Sequence, residues 1–396
     1  MINTNLITYI ERIEDIDILV ESGVKEAIIG TSTLSRFGNL SNSQAQDIAK
    51  ACKSVGIRPV LEWDILMTEN VFNMTIKTFE HLDLNAFVAI RLQDPGAVNY
   101  IIENYPEHKI QMILESGGHH NLEAVKIWQT LAGGNLERAI LSLELSKNIL
   151  EEYIRELDVE VELLGLGRIL LFYTPRSLVA PMFGTDDKDH KQVNKAPIEV
   201  SASSEESPHK GFPVIENMHG TFMFNTKDIF LLEYLDEIGD VGLQHLRIDL
   251  RFGHDLSLLK KIASLKTNFS KEKATSIKDE YPVVTNRGFF HVNKSDVLFK
   301  KLKNYRIQRS DMQFIGDVVE VNKKKHIGIV LRSRQNGLKV GDSIRLHTPD
   351  GKEKTTKINS LKTSAHEEVS HAEHGQVIFI PHISGISVKT SVYLDM

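Results

Sequence analysis

Through the first 265 residues, short apolar runs alternate with amphipathic segments. Strand-like runs fall at Leu6–Ile10, Lys25–Gly30, Arg58–Asp64, Ala86–Arg91, Lys109–Leu114, Arg138–Leu143, Glu160–Leu164 and Leu243–Leu250. Helical spacing follows each of them, near Ile13–Glu21, Ser43–Val55, Val71–Leu82, Pro95–Glu103, Leu122–Leu131, Lys147–Leu157, Lys227–Ile238 and Asp255–Leu265. Asp94-Pro95 sets a capping carboxylate before a first-turn proline, and Ser146 precedes the sixth helical segment. Eight strands alternating with eight helices predict an α/β protein built on a (β/α)8 TIM-like barrel. An open doubly wound sheet is the rival. The eight repeats favour closure, and no Gly-x-Gly-x-x-Gly follows an early strand.

Two stretches interrupt this rhythm. Residues 184–210 are polar and rich in serine and charge, which predicts a mobile excursion above the barrel mouth. Thr267–Glu280 reads as a solvated connection. From Asp311 the period changes to two, in FIGDVVEV, HIGIVLRS, SIRLHT, KTTKINSL and GQVIFIPH, with turns expected at Gly341-Asp342 and Asp350-Gly351. Five or six such strands predict a small closed β-barrel. The expected layout is a (β/α)8 barrel over 1–266, a connecting segment over 267–310 and a small C-terminal β-barrel over 311–396.

Composition narrows the setting. An apolar fraction of 41% and a charged fraction of 25% suit a globular protein, and no apolar run reaches the length of a membrane span. The start, MINTNLITYIERIED, lacks the basic-then-apolar pattern of a signal peptide. A lone cysteine, Cys52, excludes an internal disulfide and a cysteine-built metal or iron–sulfur site within one chain, so a cytoplasmic location is expected. Charge is uneven: His291–Met396 carries 18 Lys and Arg against 11 Asp and Glu, leaving 29 against 42 in the rest. A basic tail domain suits a polyanion such as RNA, and uneven surface solvation explains the same numbers. Lys300, Lys301, Lys303, Arg306 and Arg309 lead into that domain, and Lys323-Lys324-Lys325 sits on a turn.

The stretch from Gly211 to Arg251 holds a hairpin, a helix burying Ile229, Leu232 and Leu235, and a strand. Arg247, Asp249 and Arg251 alternate on one face of that strand, opposite Leu246, Ile248 and Leu250. Three charges facing into a barrel need partners or a ligand. Glu216, His219-Gly220-Thr221, Asn225-Thr226-Lys227-Asp228 and Leu246–Arg251 fall in register with the signature region of the collagenase-like peptidases, peptidase family U32. The resemblance extends to AIIGTSTLSRFGNLS at Ala27–Ser41, RLQDPGAV at Arg91–Val98 and Asn286-Arg287-Gly288-Phe289-Phe290, and so to most of the chain. It implies either peptide hydrolysis or hydroxylation of a tRNA uridine, an rRNA cytidine or a quinone ring. It also implies, for some members, work in heteromeric pairs, which leaves open a non-catalytic scaffold subunit beside a paralogous partner. Relatives that bind an iron–sulfur cluster use four cysteines around the seventh strand; this chain has Leu170 and Ser177 at the first two positions and no cysteine through 184–210. No cofactor is therefore expected.

Active sites of such barrels form at the C-terminal strand ends. The polar residues expected there are Glu62, Asp64, Arg91, Glu115, Glu144, Arg168, Asp249 and Arg251, with His119 and His120 after the fifth strand. Glu144, Asp249 and Asp64 are the candidate catalytic carboxylates. Arg91, Arg168, His219, Asp228, Arg247 and Arg251 are the candidate substrate-binding residues, with arginines gripping carboxylate or phosphate. A salt-bridge network satisfying itself at the rim is the competing reading. Cys52 lies on an apolar helix face with Ile48 and Val55, which suits burial rather than nucleophilic duty. His366, His371 and His374 occur in a polar run without a metal-binding spacing, and a solvated loop is the simpler reading.

Overall fold

The computed structural model describes residues 2–115, 121–183, 196–203, 210–253, 255–291, 313–334, 337–349 and 352–395. They fall into two compact units, Met1–Asn293 and Lys294–Met396.

In the first unit seven parallel strands run in chain order: β1 Asn5–Tyr9, β2 Glu26–Gly30, β3 Arg58–Trp63, β4 Ala89–Leu92, β5 Lys109–Ile113, β6 Leu136–Ile140 and β7 Glu160–Gly167. An antiparallel layer follows, of β8 Leu170–Thr174, β9 Ile198–Ser203, β10 Lys210–Asn217 and β11 Gly220–Phe224. After the short β12, Asp228–Phe230, comes β13, His245–Ile248. β13 pairs in parallel with both β1 and β7, so eight strands close into a barrel. β14, Thr285–Asn286, adds outside β12.

Strand alternation sorts the side chains. Leu6, Ala27, Ile29, Leu61, Ile90, Met112, Leu141, Leu163, Leu246 and Ile248 join the helices in one apolar core. The opposite set points inward, and much of it is polar: Glu26, Glu62, Arg91, Gln111, Arg138, Glu162 and Arg247 are all buried. The helices start as their sequences direct. Asp94 accepts from the Gly96 and Ala97 amides with Pro95 in the first turn, and Ser41 and Gln44 form a capping box on Asn42–Ser54. Ser146 holds the N-cap position of Lys147–Glu156 without a side-chain capping bond.

Three expectations are corrected. Thr267–Glu280 is not a solvated connection: Lys271–Glu280 is a helix capped by Ser270, and Ala274 and Ile277 bury into the barrel's outer core. A periodicity of three residues between Ala274 and Ile277, set among lysines and glutamates, hid a narrow apolar stripe. The helix expected over Lys227–Ile238 begins as β12 and tightens through Leu232–Tyr234, leaving only Leu235–Asp240 helical. Ile229 is thus buried from a strand. Finally, the polar excursion at 184–210 contains β9, which pairs with β10; residues 184–195 and 204–209 lie outside the described residues.

The second unit is an antiparallel β-domain where a small closed β-barrel was expected; among the described residues its main sheet has no strand pairing that closes it. Its strands are β15 Gln313–Asn322, β16 His326–Leu331, β17 Leu338–Lys339, β18 Ser343–His347, β19 Glu353–Lys357, β20 Leu361–Thr363, β21 Glu368–Val369, β22 His371–Ala372, β23 Val377–Pro381 and β24 Ser391–Leu394. Eight of them make one sheet around a core that includes Ile315, Ile327, Ile329, Leu346, Ile378 and Val392. Gly341 takes a positive φ of 100° at the expected turn, where a side chain would be strained. Asp350-Gly351 and the basic run from Lys300 to Arg309 lie outside the described residues.

Candidate functional site

The signature segment first proves to be a brace. Both carboxylate oxygens of Glu216 accept backbone N–H bonds, from Leu178, Val179 and Ala180, and Thr221 donates to it at 2.6 Å. Burial would raise the Glu216 carboxyl, but these donors hold it below the usual carboxylate range. Gly220 sits at φ 126°, and a Cβ there would lie 2.0 Å from the Thr174 carbonyl oxygen, so no other residue fits. The Nε2 of His219 lies 2.9 Å from the Ser32 carbonyl, and the Asn217 amide donates to the Arg36 carbonyl. The motif therefore ties the antiparallel layer to the loop after β2.

Inside the barrel the charges pair in tiers. Near the N-terminal strand ends Arg138 binds Glu26, with a second contact to Glu162 at 3.4 Å. One level up, both Arg91 terminal nitrogens bind Glu162, and Arg247 bridges Glu115 and Glu162. Burial acts to raise the Glu162 carboxyl, but Arg91 and then Arg247 hold it at about 2. Higher still, Tyr9 donates to Glu62 at 2.9 Å, Ser35 donates to its other oxygen, and Arg251 lies 3.4 Å from that same oxygen. Burial, and next the charge of Asp64, push the Glu62 carboxyl up. Arg251 clasps Asp249 through Nε and Nη2 at 3.1 and 2.8 Å while its guanidinium covers the Tyr9 ring at 3.3 Å.

These tiers decide several sequence-based candidates. Arg91 does not reach the mouth: it is fully buried and committed to Glu162, because β4 ends one residue later and its side chain points down the barrel axis. Asp228 is also removed from the candidates, since it is buried in β12 and accepts from Tyr281 at 2.7 Å, away from the mouth cavities. Asp64 is buried, with its oxygens taken by the Arg36 side chain and backbone N–H. His119 and His120 lie outside the described residues.

A cavity of about 140 Å³ opens at the C-terminal strand ends. It brings together Glu115, Glu144, Arg168, Arg247, Asp249 and Arg251. Its apolar wall includes Phe37, Leu170, Phe224 and Phe252. Phe37 packs against Phe224 and Phe252 with ring centroids 5.8 and 5.2 Å apart. Among the described residues Arg168 makes no salt bridge; its guanidinium lies over Phe252 at 4.3 Å and near Phe224 at 5.6 Å. A second, wider cavity of about 800 Å³ adjoins the first through Arg36, Phe37, Arg251 and Phe252, and His219 stands in its wall.

Tyr9, Arg36, Phe37, Phe224 and Phe252 escaped the sequence-based choice. Arg36 and Phe37 were within a quoted motif, Ser-Arg-Phe-Gly, whose Gly38 admits no Cβ because it packs on Thr31. That signal marks a forced loop, but not the direction of its side chains.

Leu170 stands in the cavity wall, and Ser177 follows β8. Among the described residues no group of three or more His, Cys, Asp or Glu is placed to hold a metal ion. Cys52 is buried on its helix, and burial pushes its thiol up to about 11. Ellman's reagent is accordingly expected to leave Cys52 unmodified in the native protein and to titrate one thiol after denaturation; fast native reaction would contradict this placement. Among the described residues no helix is long and apolar enough to cross a membrane.

Comparison with known proteins adds the lineage. The chain is 24% identical over 333 residues to tRNA hydroxylation protein P of Escherichia coli, covering 70% of this chain and 72% of that protein. It is 23% identical over 156 residues to tRNA hydroxylation protein P2 of Bacillus subtilis, covering 39% and 49%. A solved structure, the U32 peptidase Mk0906, aligns with a TM-score of 0.38 at 10% identity, covering 64% of this chain and 94% of that one. The family model Peptidase family U32 matches residues 11–289 and its C-terminal domain matches 310–391, so the chain belongs to peptidase family U32.

Proposed function

We propose that this protein acts in tRNA hydroxylation, and that the mouth cavity binds one ring-shaped ligand bearing a negative charge or a strong acceptor. The observation that carries the reading is Arg168. Its guanidinium stacks on Phe252 in the cavity wall without a carboxylate partner among the described residues, while its neighbours Arg247 and Arg251 are already paired. An arginine left unpaired beside apolar rings is a ready anion grip. The size agrees: about 140 Å³ is close to the roughly 150 Å³ cavity that admits a benzene ring. The relatives named for tRNA hydroxylation support the process.

We assign this chain the binding and orientation of the ring, not the redox step. The reading includes no iron–sulfur cluster on this chain, since leucine carries no donor atom where a thiolate would be needed. Peptide hydrolysis by a carboxylate pair finds less support. Asp64 is held by Arg36 and Asp249 by Arg251, and Asp64 does not share the cavity with Glu144.

The test is mass spectrometry of tRNA nucleosides from a strain lacking this gene. A hydroxylated nucleoside is expected to disappear and to return on complementation. Unchanged tRNA would refute the reading.

A further inference from the structure

The outer face of the second unit's sheet carries a feature that the mouth does not use. Phe379 on β23 lies opposite Gly328 on β16 and Lys362 on β20. Residues directly opposite one another share a face. A Cβ on Gly328 would come 3.0 Å from the Phe379 ring, so glycine makes room for it. His326 meets the ring edge-on at 4.6 Å, and His366 lies nearly parallel to it at 5.6 Å and 25°. Covering a strand glycine with an aromatic ring accounts for Phe379. It does not account for His366, which is exposed and takes a φ of 65° in the turn between β20 and β21, a conformation side chains rarely adopt.

The charges beside it are asymmetric. Lys323, Lys324 and Lys325 form the turn leading into His326, and Lys362 stands next to Phe379. Three carboxylates share the area: Glu320, bonded to His326 at 3.0 Å, Glu368, 3.9 Å from Lys362, and exposed Glu367 beside His366 in the turn. Four lysines against three carboxylates leave a small basic excess, concentrated on the Lys323–Lys325 turn, even with both imidazoles neutral. An exposed His366 ring, backed by the half-buried rings of Phe379 and His326 beside a lysine turn, matches the chemistry of single-stranded nucleic acid, in which bases stack on rings and phosphates meet lysines.

We propose that His366, His326 and Phe379 form a stacking site for a base of single-stranded RNA, with Lys323–Lys325 on its phosphates. This goes beyond the mouth reading and does not depend on it.

The test is anisotropy of a labelled 12-mer oligouridylate with the full chain across a salt series. His366→Gly suits the positive φ, so the fold is expected to hold, with an unchanged melting temperature as the check. Affinity is expected to fall about tenfold with the salt slope unchanged. Replacing the three lysines by alanine is expected to reduce the slope by about 2. Phe379→Leu serves as a second ring deletion if His366→Gly disturbs the turn. Wild-type protein that does not bind, or binding indifferent to both ring deletions, would overturn the site. An unaltered tRNA profile in the deletion strain, with oligonucleotide binding still sensitive to His366→Gly, would remove the mouth reading and leave this one standing.

Discussion

Glu162→Ala is expected to cost the first unit about 3–5 kcal/mol, because it strands buried guanidinium groups rather than removing a neutral contact. Arg91 binds both Glu162 oxygens, and Arg138 and Arg247 each approach to 3.4 Å. All three arginines are buried. Taking away the one carboxylate they share leaves positive charges facing each other in a space water cannot enter freely. Both tryptophans, Trp63 and Trp128, lie in the first unit, so fluorescence-monitored urea unfolding reads that unit alone. The midpoint should fall steeply for Glu162→Ala. A shift under about 0.5 kcal/mol, the usual size for a surface change, would show that the tiers do not hold the barrel.

The same group sets an acid limit. The folded Glu162 carboxyl at about 2 lies below its ordinary 4.5, so the carboxylate's contribution is complete above about 4.5 and is lost as pH falls toward 2. Unfolding of the wild type should therefore become easier across that window, and the alanine variant should show a shallower decline.

Arg168→Ala should lower tRNA hydroxylation about 10- to 150-fold, the loss of one charged hydrogen bond to a ligand at about 1.5–3 kcal/mol. Stability should stay nearly constant, since Arg168 holds no salt bridge among the described residues and gives up only its ring contacts. Arg168→Lys should recover part of the activity, because lysine restores charge but not the planar fork. The readout is the hydroxylated nucleoside in a deletion strain carrying each variant, beside its melting temperature. Full activity in Arg168→Ala would end its role as the anion grip. Lost activity accompanied by lost stability would make it a structural residue instead.

Several features were legible before any coordinates. The βα alternation predicts the barrel because a strand with one face on helices and one inside a closed cylinder must alternate or run apolar in short blocks. Period two marks the C-terminal sheet, and Asp94-Pro95 marks a helix start that the structure repeats. Arg247, Asp249 and Arg251 carried a demand for partners that each of them meets, although β13 ends at Ile248 and only Arg247 lies in the strand. The resemblance at Glu216–Thr221 was equally visible, but its meaning was not. Only His219 among those residues was a candidate, for substrate binding, and Glu216 serves as an acceptor for three backbone amides.

The one-dimensional chain determined the elements and the faces, since periodicity and capping act between residues a few positions apart. Only tertiary structure decided which charge met which. Glu162 pairs with Arg91 across 71 positions and Arg251 reaches Glu62 across 189, separations at which spacing carries no information. Arg91, Asp228 and Arg168 belong to the same class of polar candidate by composition and motif. Closure of the barrel put the first inside the cylinder, the second beneath Tyr281, and the third over the aromatic rings at the open end. Burial and the nearest opposite charge, both set by the fold, separate a brace from a binding group.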